Sequence, residues 1–172
     1  LMGKTDVAVL DGGFPKWQTE GRAVEDMAPV VRDRHMTVQR QAALVRDVTQ
    51  VAHASKLGDT EIVDARPAAR FRGEALEPRP GLRSGHMPGA KNLPHALLLN
   101  PDGTMKDAAA LRAAFTEAGV DLGKPVITTC GSGVTAAILS LALERLGHRN
   151  HALYDGSWAE WGMYVDLKVA KG

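Results

Sequence analysis

The sequence predicts an α/β domain whose mostly parallel sheet is covered by helices on both faces. Two observations carry that expectation. Short apolar stretches alternate with longer segments of helical period along most of the chain. One short stretch, PVITT at Pro125–Thr129, is β-branched with no polar alternation, as a strand buried on both faces must be. The size agrees: 172 residues make one domain, or one domain plus a fragment of another. A chain near this length buries about two-thirds of its unfolded surface, enough for a real core.

Taken in order, Val7–Leu10 is a short apolar strand followed by an Asp-Gly turn and a Trp-bearing short helix. Residues 22–36 are charged, carry Pro29 and are expected to be a linker. Thr37–Leu57 places Val38, Ala42, Leu44, Val45, Val48 and Val51 at helical spacing, and Gly58 ends the helix. Glu61–Ala65 is a short buried strand, and Pro67–Phe71 a single helical turn opened by its proline. Residues 73–89, rich in Gly and Pro, form a long surface loop before a short strand at Ala90–Leu93. Asp107–Ala118 is an Ala-rich amphipathic helix closed by Gly119. After PVITT comes a helix over Val134–Leu146, apolar nearly all round, and a last strand at His151–Tyr154.

Composition narrows function. Lys plus Arg number 21 against 20 Asp plus Glu, a net charge of +1, which argues against a nucleic-acid module or a polybasic membrane module. No apolar run approaches the ~20 residues that span a bilayer. Cys130 is the only cysteine, which excludes an intrachain disulfide and a Cys-based zinc cluster. A lone thiol suits a reducing compartment, so a cytoplasmic location is expected, with a mitochondrial one as the alternative.

The chain also repeats itself. Leu1–Trp17 reads LMGKTDVAVLDGGFPKW and Arg145–Trp161 reads RLGHRNHALYDGSWAEW. At a constant offset of 144, Gly3 matches Gly147, Ala8 matches Ala152, Asp11-Gly12 matches Asp155-Gly156, and Trp17 matches Trp161. The second copy has a long helix before its glycine and the first does not. We therefore expect two tandem homologous domains, with residues 1–21 the C-terminal remnant of the first, 22–36 the interdomain linker, and 37–172 the complete second domain.

The candidate site is the turn between PVITT and the helix after it. Cys130 stands where the strand ends, followed by Gly131-Ser132-Gly133. Ligands of open α/β sheets gather at the carboxyl ends of strands. A Gly-containing loop lets successive N–H groups converge on one centre, and the helix beyond adds its partial positive end. A thiol held there is shifted toward the nucleophilic thiolate. Burial as a structural cysteine is the competing reading; a Gly-flanked strand-to-helix turn favours catalysis. Just after the strand EIVDA, five arginines (Arg66, Arg70, Arg72, Arg79, Arg83) crowd into eighteen residues, a supply of carboxylate binders. Arg66 with Asp64 reads as a structural pair at the strand end. Arg72 and Arg83 read as solvated loop residues among Glu74 and Glu77. His86 locks a turn, Asp155 caps one, and Trp158 and Trp161 pack in the core.

The run CGSGVTAAILSLALERLG followed by YDGSWAEWG resembles the catalytic domain of the rhodanese/sulfurtransferase family. VDAR, RFRG, EPRPG, SGHMPGA and LP fall upstream in the family's order, and LDGGFPKW resembles the end of its inactive first domain. The resemblance implies a rhodanese-like, mostly parallel five-stranded sheet flanked by helices. Family members that use thiosulfate typically carry two basic residues after the cysteine; Gly131 and Ser132 resemble the 3-mercaptopyruvate branch instead.

On that resemblance Cys130 attacks the sulfur of 3-mercaptopyruvate, pyruvate leaves, and a Cys130 persulfide passes its outer sulfur to cyanide, a thiol or reduced thioredoxin. The amides of Gly131, Ser132, Gly133, Val134 and Thr135 hold the anionic persulfide, and Ser132 assists proton movement. Arg70 and Arg79 bind the substrate carboxylate. No metal or organic cofactor is implied, and the first domain of the same protein is the implied partner, supplying acidic and His groups to the cleft. Thiosulfate:cyanide transfer is the alternative activity. A non-catalytic binding module on this fold usually lacks the cysteine. A Cys-dependent phosphatase needs a longer phosphate loop ending in Arg, whereas Ala136 stands six residues after Cys130.

Overall fold

A computed structural model describes residues 1–33 and 35–172. The elements in chain order are α1 (Gly13–Thr19), β1 (Val45–Arg46), α2 (Val48–Leu57), β2 (Glu61–Asp64), α3 (Ala68–Phe71), β3 (Lys91–Asn92), α4 (Ala108–Glu117), β4 (Val126–Thr129), α5 (Ala136–Arg145), β5 (His151–Tyr154) and α6 (Ser157–Trp161). The strands form one five-stranded sheet in the order β1-β5-β4-β2-β3, every pair parallel. β2 and β4 lie at its centre, buried along their whole length.

The sheet divides two apolar cores, one on each face. Val63, Ala65, Val126 and Cys130 pack with Leu111 and Phe115 of α4 and Leu139, Ala142 and Leu143 of α5. Ile62, Ile127 and Tyr154 pack on the other face with Val51 and Ala54 of α2 and Trp158 and Trp161 of α6. Trp158, Tyr154 and Phe115 are fully buried, so these aromatic rings supply much of the area removed from water.

Four expectations are corrected, the first three within residues 37–172. The single helix over Thr37–Leu57 is broken: a 3-10 turn at Ala42–Leu44 leads into β1, and α2 begins only at Val48. Asp47 is the reason. Its carboxylate accepts from the Gln50 backbone N–H (2.9 Å), and Gln50 Oε1 accepts from the Asp47 N–H (3.1 Å), a capping box that starts a helix there. Val45 and Arg46 pair with Leu153 and Tyr154 instead. Second, Arg83 is not a solvated loop residue. Its guanidinium donates to the carbonyls of Leu167 (2.8 Å), Trp161 (3.1 Å), Gly162 (3.2 Å) and Tyr164, tying the 73–89 loop to the chain after α6. Third, Asp155 makes no side-chain cap; Gly156 holds the N-cap position of α6.

The 73–89 loop is also better anchored than a surface loop. His86 stacks on Phe71 at 3.8 Å between ring centroids and donates from Nδ1 to the Phe71 carbonyl (2.8 Å), which gives it the turn-locking role. Met87 beside it is buried.

Fourth, Val7–Leu10 forms no strand and lies exposed, followed by α1, which buries none of its residues. At offset 144 two pairs of positions share a left-handed backbone, Gly3 and Gly147 (φ +82° and +76°) and Gly13 and Ser157 (+60° and +50°), whereas Gly12 and Gly156 differ (+83° and −58°). Residues 22–33 are irregular and exposed; Arg34, inside the expected linker, lies outside the described residues. No helix among the described residues is long and apolar enough to cross a membrane.

Candidate active site

β4 delivers Cys130 to the carboxyl end of the sheet, between the ends of β2 and β5. The path of the loop beyond Cys130 is fixed by where its own polar groups go. The Cys130 carbonyl accepts from Trp158 N–H (2.9 Å) and the Gly131 carbonyl from Ala159 N–H (2.8 Å). The Cys130 N–H donates to Ser157 Oγ (3.2 Å), which in turn donates to the Tyr154 carbonyl (2.8 Å). The first turn of α6 therefore takes up the loop's carbonyls. Gly133, at φ +86°, turns the chain back; a Cβ there would stand 2.9 Å from the Asp155 carbonyl oxygen.

With the carbonyls so occupied, N–H groups are left to face the sulfur. Burial pushes the Cys130 thiol up. The Thr135 hydroxyl and the backbone N–H groups of Ser132, Ala136 and Thr135 hydrogen-bond the sulfur and outweigh burial, so its pKa lies below the ordinary thiol value. The side chain is 1% exposed, yet it lines a cavity of about 360 Å³. A nucleophile that is desolvated but stabilised as the anion can attack a substrate drawn into that cavity.

Arginines rim the cavity, and they are not equivalent. Arg66 is buried and fully committed: it chelates Asp64 (2.7 and 2.9 Å), donates to Glu77 (2.8 Å) and the Gly85 carbonyl (2.8 Å), and lies 4.4 Å over the Trp158 ring. Arg70 is held by the same Glu77 through its Nε and Nη2 edge. Its other edge remains for a ligand, and Nη2 lies close against Gly131. Arg79 lines the cavity from an exposed position. Arg72 pairs with Glu74 at the surface (2.7 Å), away from the lining.

The fold thus brings Cys130, Gly131, Ser132, Val134, Thr135, Arg70 and Arg79 to one cavity. Ser132 and Val134 are exposed at its mouth; Gly133 is buried behind it. The sulfur's backbone donors are Ser132, Thr135 and Ala136; Gly131, Gly133 and Val134 shape the loop that aims them. The sequence reading missed Ala136, Glu77 and His95, a second lining residue with titratable chemistry. Ala136 has no side-chain signal, since only its amide acts. His95 could have been found by asking which residues follow β3 at the same sheet end. No group of three or more His, Cys, Asp or Glu placed to hold a metal occurs among the described residues.

A family profile described as a rhodanese-like domain matches residues 47–164. The chain is 44% identical to 3-mercaptopyruvate sulfurtransferase of Escherichia coli K12 over 97% of its own length and 59% of that protein. It is 35% identical to the mitochondrial thiosulfate/3-mercaptopyruvate sulfurtransferase 1 of Arabidopsis thaliana, covering 98% of this chain and 50% of that one. Among solved structures, SseA from Escherichia coli, described as a 3-mercaptopyruvate sulfotransferase of rhodanese fold, superposes with a TM-score of 0.81 at 40% identity, over 91% of this chain and 58% of that one. The chain spans between half and three-fifths of the length of these relatives.

Proposed function

The chain belongs to the rhodanese-like family, and on that premise we propose that it moves sulfur from 3-mercaptopyruvate through a Cys130 persulfide to a thiophilic acceptor, releasing pyruvate. In the first half-reaction the Cys130 thiolate bonds to the donor's sulfur. The donor's C–S bond breaks, its electron pair goes to carbon as the enolate of pyruvate, and the mercapto proton ends on that carbon. Arg70, through the edge that Glu77 leaves open, and Arg79 hold the donor's carboxylate. In the second half-reaction a nucleophile, such as cyanide, a small thiol or thioredoxin, bonds to the outer sulfur and Cys130 departs as thiolate. Ser132, at the mouth, assists proton movement.

The observation that carries this reading is the convergence of the Thr135 hydroxyl and three amides on a buried sulfur at the floor of an arginine-rimmed cavity. A ring of donors favours the thiolate both as attacking group and as leaving group. The loop Gly131-Ser132, without basic side chains, favours mercaptopyruvate over thiosulfate as donor.

We read residues 1–21 as the tail of an inactive first rhodanese domain, 22–36 as the linker and 37–172 as the catalytic domain. The matched residues at offset 144, the shared left-handed backbone positions and the partial span of the relatives support this. The first domain of the same protein is then its partner at the cleft. We place the protein in the cytoplasm, with mitochondria as the alternative that the Arabidopsis relative's name suggests.

The test is to supply 3-mercaptopyruvate with a thiol, and thiosulfate with cyanide, and to follow pyruvate and thiocyanate. Pyruvate release should dominate and Cys130→Ser should abolish both signals. Turnover retained by Cys130→Ser would remove the nucleophile and the mechanism with it.

A further inference from the structure

We propose that His95 is the base that ionises the acceptor thiol in the second half-reaction, a step that rests on the persulfide reading above. The backbone places it. β2 runs beside β4 with Asp64 opposite Thr129, and the Ala65 N–H donates to the Thr129 carbonyl (2.9 Å), so Ala65 lies next to Cys130. On the far side of β2, the Leu93 N–H donates to the Asp64 carbonyl (2.9 Å) and the His95 N–H to the Ala65 carbonyl (3.2 Å). His95 therefore stands two strands from Cys130, roughly 10 Å along the sheet end at ordinary strand spacing. Its Nδ1 lies 3.3 Å from the Ala65 carbonyl oxygen, and both His95 and Cys130 line the same cavity. A carbonyl only accepts, so Nδ1 carries the hydrogen there, and Nε2 is the ring nitrogen that can take a proton.

The chemistry of the site leaves this role open. Cys130 has its own donors, the Thr135 hydroxyl and three amides, which favour its thiolate. The acceptor needs a base: an ordinary thiol, with a pKa of about 8.5, is only ~3% ionised at pH 7. Of the described residues lining the cavity, Arg66, Arg70 and Arg79 are permanent cations and Glu77 is spent on Arg66 and Arg70. Ser132 and Thr135 offer hydroxyls, far too weakly basic at neutral pH. His95, an imidazole, is the remaining lining side chain able to accept a proton. The step balances without an oxidant. His95 Nε2 takes the thiol proton, the thiolate bonds to the outer sulfur, the Cys130 Sγ–S bond breaks, and its electron pair stays on Sγ among the loop donors. The proton then passes from His95 to the departing persulfide or to water.

The experiment separates the half-reactions. Cys130 is loaded with inorganic polysulfide, the added sulfur is verified by mass spectrometry, and a single discharge is timed at pH 7. One acceptor is free cysteine, an ordinary thiol of pKa about 8.5; the other is sulfite, whose dianion is abundant at that pH and has no proton to lose. His95→Gln, which keeps a donor for the Ala65 carbonyl, should slow discharge to the thiol roughly thirtyfold, the factor set by the ionised fraction, and leave discharge to sulfite unchanged. Free imidazole should restore part of the thiol rate to His95→Ala. Equal slowing with both acceptors, or with neither, overturns the assignment. If polysulfide-loaded protein shows this dependence while 3-mercaptopyruvate fails to load Cys130, the donor reading falls and the role of His95 stands.

Discussion

At Cys130 two effects of opposite sign meet. Burial disfavours the thiolate, and the Thr135 hydroxyl with the amides of Ser132, Ala136 and Thr135 favours it more. Thr135→Val removes one of these donors while keeping the side chain's shape. The pH midpoint for iodoacetamide alkylation of Cys130 should move to higher pH, and alkylation at neutral pH should slow about tenfold, the scale of one hydrogen bond to a charged group. An unmoved midpoint would assign the depression to the amides alone. Arg70 poses a different question, because Glu77 occupies one of its edges. Arg70→Ala should lower kcat/KM for 3-mercaptopyruvate by about 1.5–3 kcal/mol, the worth of a charge-assisted bond. Arg70→Lys should recover little, since an ammonium cannot present a flat two-donor edge beside Glu77. Steady-state kinetics against 3-mercaptopyruvate concentration check both; an unchanged kcat/KM in Arg70→Ala would take this side chain out of the site.

The elements show which physical signals survive in a linear sequence. β4 was legible because it is buried along its whole length, and α5 because its apolar run AAILSLAL has helical length and packs Ala136, Leu139, Ala142 and Leu143 on the core. The cysteine turn between them was legible because glycines flank it. β1 was not: Val45 continues an apolar spacing that suits a helix, and only the local contest won by the Asp47 capping box and the β5 pairing makes it a strand. Arg83 was misread for a related reason, since its acceptors are carbonyls nearly eighty residues away. His95 and the amide of Ala136 were invisible because the first depends on neighbouring strand ends and the second has no side-chain signature. Gly133 links these levels. Gly133→Ala places a Cβ at φ +86° and 2.9 Å from the Asp155 carbonyl. It should cost about 1–3 kcal/mol in denaturant-induced unfolding. It should also cut Cys130 alkylation, because the amides around the sulfur lose their aim. A variant with wild-type stability and reactivity would show that the loop tolerates another path.

Across the whole molecule, stability and chemistry are concentrated in the part from β1 onward. Both apolar cores draw their buried residues from Val51 to Trp161, whereas α1 buries none. The N-terminal segment touches that body through a few polar contacts: the Met105 N–H donates to Asp11 (2.8 Å), Lys16 pairs with Asp102 (3.2 Å), and the N–H groups of Gln39 and Gln41 donate to the carbonyls of Met2 and Leu1. The one ion pair among these, Lys16–Asp102, is exposed and contributes little, and the rest are single hydrogen bonds. The same segment displays Val7, Val9, Leu10, Phe14, Val30 and Val31 to water, an apolar surface unlike that of a finished monomer. Removing residues 1–36 should therefore shift Tm by no more than about 4 °C, the effect of ~1 kcal/mol in a domain of this size. It should also reduce self-association in sedimentation velocity, because the exposed apolar side chains leave with the segment. Loss of a cooperative melt on truncation would mean that residues 1–36 belong to the folding unit, and the division of the chain at its linker would fall.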